Sequence, residues 1–94
     1  MKKYLQQVEG FTLEEYDDGT SVLLNSDSGI VHILNTIATL LYKLCEEKLD
    51  EDDLFNVFLT KLDLTDCEVS LEEIRSDYEF IINKFVQAGI VSLE

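Results

Sequence analysis

The sequence predicts an α+β fold: a three-stranded antiparallel sheet followed by three helices, in the order β-β-β-α-α-α. Three observations carry this reading. Short apolar and β-branched runs in the first third are separated by tight-turn signals. After residue 34 the apolar spacing switches to three and four. Helix start and stop signals then bracket three amphipathic segments.

The first strand is expected over residues 8–16, where Phe11 and Leu13 share a face. Asp17-Asp18-Gly19 is a turn signal of the Asp-Gly type. Residues 20–24 (TSVLL) form the second strand, residues 25–29 (NSDSG) a second turn, and residues 30–34 (IVHIL) the third strand. Two tight turns make an antiparallel meander of the three.

Asn35 is placed to cap a helix whose apolar positions are Ile37, Leu40, Leu41 and Leu44. A second helix begins at Asp50, with acids at Glu51, Asp52 and Asp53 at the positive end of its dipole. Leu49 and Leu54 have the spacing of a hydrophobic staple, and Leu54, Val57, Phe58 and Leu62 form its stripe. Residues 64–69 connect to a third helix, opened by a capping box of Ser70 and Glu73 and a staple of Val69 with Ile74. Its face holds Leu71, Ile74, Tyr78, Ile81, Ile82 and Phe85; Gly89 stops it, and residues 90–93 are a short extended tail. Strands covered on one face by three helices have the makeup of a winged helix-turn-helix with its strands moved to the front.

Ninety-four residues suit one domain, 1–94, with a modest core and little room for a deep catalytic cavity. Hydrophobic residues at 46% argue against disorder. A net charge of −13 leaves no basic stripe to neutralise phosphates and sets the chain against anionic membranes. A basic or neutral, partly apolar partner fits better. No apolar run follows Met1-Lys2-Lys3, so no secretion signal is read, and a cytoplasmic location is expected. Cys45 and Cys67 stand outside any CxxC and far in sequence from His32, which suits reduced thiols and gives no zinc set.

No phosphate loop, GxSxG or HExxH is present. The acids of residues 50–53 lack the alternation, the glycine and the distal glutamate of a calcium loop. Capping a helix accounts for them. His32 is the only candidate general base near neutral pH, and it has no serine or cysteine nucleophile near it in sequence. On a strand it shares a face with Ile30 and Leu34, opposite Val31 and Ile33, which suits a structural or partner contact. The expectation is no enzyme, no cofactor and no metal.

Leu23-Leu24-Asn25, Gly29-Ile30-Val31-His32-Ile33-Leu34-Asn35 and Ile37-Ala38 form one familiar pattern. A second runs from Asp77-Tyr78-Glu79-Phe80-Ile81-Ile82 to Gly89-Ile90-Val91. Together, over about residues 8–93, they resemble the family of the pyrroloquinoline quinone biosynthesis protein D (PqqD), although Tyr78 stands where a small aliphatic residue is common. The resemblance implies a recognition element (RRE) for ribosomally synthesised, post-translationally modified peptides (RiPPs). Such a domain is a non-catalytic peptide chaperone. It binds the leader of a precursor peptide by β-strand addition and delivers it to a modifying enzyme or leader protease.

On that reading Ile30, Val31, His32, Ile33 and Leu34 pair with the leader, while Asp77, Tyr78, Ile81, Lys84 and Phe85 contact it from the third helix. Asp77 and Lys84 lie toward one border of the apolar stripe, Arg75 and Ile82 toward the other, and the sequence does not choose between them. Ile81 and Phe85 read equally as core. An open third strand could also pair with its own copy, so a monomer or weak homodimer is expected. Two other classes stay open, a winged-helix DNA-binding regulator and a generic interaction module. The first is disfavoured because residues 70–88 hold only Arg75 and Lys84 against Glu72, Glu73, Asp77 and Glu79.

Overall fold

A computed structural model describes residues 3–61 and 70–93. Elements follow the order β1 Tyr4–Gln7, β2 Phe11–Glu15, β3 Ser21–Asn25, β4 Val31–Leu34, α1 Thr36–Leu44, β5 Leu49–Asp50, α2 Glu51–Lys61, α3 Leu71–Gln87 and β6 Val91–Leu93. The expected meander is β2-β3-β4, antiparallel throughout, and the expected helices follow it. The fold is α+β and winged-helix-like.

A second sheet, β5-β1-β6, was not foreseen. Its central strand pairs Leu5 with Leu49 on one side and with Leu93 on the other. The segment expected to be a short extended tail therefore holds β6. The first meander strand is also shorter than expected. Gly10, at φ 99°, sits where an L side chain is strained, so the chain turns there and residues 8–10 fall outside β2. Ser26 N donates to the Gly10 carbonyl at 3.0 Å and closes that end of the meander.

The helix boundaries follow side-chain chemistry. Asn35 accepts from the Ala38 amide at 2.8 Å and caps α1; Asp50 accepts from the Asp53 amide at 2.9 Å, and Ser70 from the Glu73 amide at 3.2 Å. Gly89, at φ 75°, lets the chain reverse after α3 into β6. Leu62, Cys67 and the connector with Val69 lie outside the described residues. We expect Asn35→Ala to cost about 1 kcal/mol, because an orphan amide loses its acceptor. Urea denaturation checks this.

The buried faces are rotated from those the spacing suggested. On α1 the buried positions include Ala38, Leu41 and Tyr42, with Cys45 just beyond, while Ile37, Leu40 and Leu44 are half-buried around them. On α2, Phe55 is buried and Val57 is not. On α3, Ile74, Tyr78, Ile82 and Phe85 are buried, but Leu71 is exposed. Buried polar contacts bridge the layers inside the core: the hydroxyls of Ser21 on β3 and Thr39 on α1 lie 2.7 Å apart, and the Thr39 hydroxyl lies 3.4 Å from the Leu34 carbonyl of β4.

Burial pushes the Cys45 thiol up to about 12 from an ordinary 9.0. The unfolded chain therefore loses this proton first. The stability linked to it is complete below pH 9 and is lost as pH rises from 9 toward 12. In a Cys67→Ser background, iodoacetamide at mildly alkaline pH should leave the native protein almost unlabelled and react quickly only in denaturant.

Candidate functional site

Among the described residues, β4 is hydrogen-bonded on one side, to β3, and its other edge is open. The register fixes which backbone groups face that opening. Asn25 N donates to the Ile30 carbonyl at 2.9 Å, so Asn25 and Ile30 are a bonded pair. Bonded and non-bonded pairs alternate along an antiparallel ladder. Leu23 with His32 and Ser21 with Leu34 are thus bonded pairs, and Val22 with Ile33 and Leu24 with Val31 are not. The amides and carbonyls of Val31 and Ile33 point out of the sheet, where another extended chain can meet them.

Side chains divide by the same alternation. Leu34 is buried, and His32 is half-buried with its ring 6.3 Å from that of Phe11. Ile30, just before β4, is exposed. Val31 and Ile33 stand on the opposite face, 51% and 83% exposed. A strand with this much aliphatic surface in solvent is held by its packed face and by β3, and it leaves both an edge and a face unspent.

Where β4 runs into α1, a shallow groove of about 260 Å³ opens against α3, lined by Asn35, Ile37, Asp77, Phe80 and Ile81. Its size suits single side chains rather than a whole small molecule. Asp77 and Ile81 are brought together here. Lys84 lies one turn further along α3, with its ammonium 5.4 Å from the Phe80 ring centroid. Of the two borders of α3 that the sequence left open, the Asp77 border is the one beside this groove. The Asp77 side faces the entrance of α1, and the Arg75 side faces α2, where its guanidinium lies 4.7 Å from the Phe55 ring centroid and 3.8 Å from Asp52 Oδ1.

Two of the expected contact residues are placed differently. Tyr78 and Phe85, 3% and 4% exposed, belong to the core and do not line this groove. Tyr78 packs with Phe55 and Phe58, ring centroids 5.0 and 5.8 Å away, and donates to the Glu51 carbonyl at 3.1 Å. Burial raises its hydroxyl pKa well above the ordinary value. Phe85 meets Tyr42 edge-on at 6.2 Å. Both point inward because they fall at the centre of the apolar stripe rather than at its border. Conversely, Phe80 was not singled out as a contact, yet it is 63% exposed in the groove. The available signal was an aromatic residue off the stripe, on an otherwise polar face.

Fold and edge together define a winged-helix-like α+β domain with an open strand beside a helix-lined groove. Among solved structures, the chain is similar to TbiB1 in complex with the TbiA(beta) leader peptide, at TM-score 0.71 and 14% identity, over 93% of this chain and 94% of that one. At that identity the likeness establishes the fold. No protein-family model and no curated protein matches the sequence. Among the described residues, no helix is long and apolar enough to cross a membrane.

Proposed function

We propose that this chain is a leader-peptide recognition domain of the PqqD-like kind. It binds the leader of a ribosomally made precursor peptide as an added strand on β4 and presents that peptide to a modifying enzyme or leader protease. The observation that carries the reading is the open edge of β4, with the outward backbone groups of Val31 and Ile33 next to the Asn35–Asp77 groove. The likeness in fold to a protein solved with a leader peptide supports it.

Ile30, Val31, His32, Ile33 and Leu34 supply the pairing segment. Val31 and Ile33 bond the peptide backbone, and Ile30 and His32 meet its side chains on the groove side. Asp77 and Lys84 read charge on the peptide, while Ile37, Phe80 and Ile81 take an apolar side chain. Tyr78 and Phe85 support the site from beneath, by fixing where α3 lies. The domain does no chemistry on the peptide; it is a cytoplasmic adaptor that acts by holding and orienting.

The test is an NMR titration with the leader of the precursor peptide encoded nearest to the gene. Saturable binding with amide shifts concentrated in residues 30–34 and 77–85 is expected. Absence of binding, or shifts confined elsewhere, would overturn the reading.

A further inference from the structure

The outer face of the β2-β3-β4 sheet carries a second surface, separate from the edge. Cross-strand register puts Leu24 beside Val31 and Val22 beside Ile33. These four aliphatic side chains all point away from Leu23, Leu34 and the core. Leu24, Val31 and Ile33 are exposed, and Ile33 is the most exposed of the large hydrophobic residues described. Contiguous apolar patches of this kind mark interaction sites.

Charge around the patch is one-sided. Between residues 10 and 35 there are five acids, Glu14, Glu15, Asp17, Asp18 and Asp27, and no lysine or arginine. Glu14 lies opposite Val22 on the outer face itself. Glu15 falls on the other face and is met there by Lys43 of α1 at 2.9 Å, so that cation does not offset the outer rim. An acid-rimmed aliphatic patch complements an apolar patch rimmed by lysine and arginine. It does not complement itself, because a second copy would set acid rim against acid rim between chains of net charge −13.

We propose that this outer face docks the enzyme that processes the bound peptide, a folded protein presenting an apolar patch with a basic rim. The inference rests on the leader-binding reading for the identity of that enzyme. β4 then serves two partners at once: its edge holds the peptide while Val31 and Ile33 project their side chains toward the enzyme. The peptide leaves the domain along the border of the enzyme's footprint, and this geometry delivers it without release.

The probe is the modifying enzyme or leader protease encoded beside the precursor peptide, titrated calorimetrically against the full chain. Two variants are compared with the natural sequence. Val22→Thr/Leu24→Thr changes β3 alone and leaves the β4 edge intact. Ile33→Thr removes the most exposed side chain and keeps a β-branched residue.

We expect enzyme affinity to fall about tenfold or more in each variant, as for other central apolar contacts. Affinity for the leader should be unchanged in Val22→Thr/Leu24→Thr, and added salt should weaken enzyme binding in the natural chain. Unchanged enzyme affinity in both variants, with leader binding intact, overturns the docking face and leaves the leader-binding reading standing. Sedimentation showing a dimer of the natural chain that the variants convert to monomer also overturns it, since the face then belongs to a second copy. A natural chain that binds no leader overturns the functional reading, and this assignment of the enzyme with it.

Discussion

Ile33→Pro should lower leader affinity about ten- to a hundredfold while leaving the domain folded. The Ile33 amide points out of the sheet, away from β3, so proline removes no bond of the existing ladder. It does remove one of the outward donors that an added strand would use, and its ring occupies the space that strand would enter. His32→Pro is the matched control. His32 and Leu23 are a bonded pair, so proline there breaks the ladder to β3 and should destabilise the sheet. Circular dichroism and urea titration report folding, and calorimetry with the leader reports binding. If Ile33→Pro folds and binds the leader as the natural chain does, strand addition on β4 is wrong.

The second large effect concerns Tyr78. Tyr78→Ala should cost about 3 to 5 kcal/mol, because it empties the space between α3 and the aromatic pair Phe55 and Phe58. Small domains have about 5 to 15 kcal/mol in total, so the variant loses a large fraction of its stability and should unfold at a clearly lower urea concentration than the natural chain. Tyr78→Phe keeps the ring and loses only the bond to the Glu51 carbonyl, at about 0.5 to 1.5 kcal/mol. Leader affinity of the folded Tyr78→Phe protein should equal that of the natural chain. A direct peptide contact through the hydroxyl would instead weaken it with little change in stability. Chemical denaturation combined with calorimetry separates the two.

The meander and the helices were legible because their signals are local. Turn residues, alternating strand positions and caps such as Asn35, Asp50 and Ser70 all act within a few residues of themselves. The second sheet was hidden for the opposite reason. β1 has one inward apolar residue, Leu5, and β5 is two residues long. Neither pattern announces a strand until its partners, distant in sequence, are in place. The same distinction runs through the candidate site. The strand β4 could be read from its β-branched run and from the turn before it. Which border of α3 faces β4 and α1 depends on how the helices pack, and this put Tyr78 and Phe85 inside and Phe80 outside. Spacing alone shows where a stripe is and not how far it is rotated into the core.

The pairing of Leu5 with Leu93 orders events during synthesis. β1 emerges from the ribosome before the meander, and β6, which completes its pairing, emerges only after α3. The meander has all its partners within residues 11–34 and can form early. Leu5, fully buried in the finished core, has to wait for β6, on the order of seconds at ordinary elongation rates. A nascent chain therefore displays the β4 edge before the core beneath it is closed. On the proposed function, a leader peptide arriving at that stage would meet a strand that is formed but not yet supported from beneath.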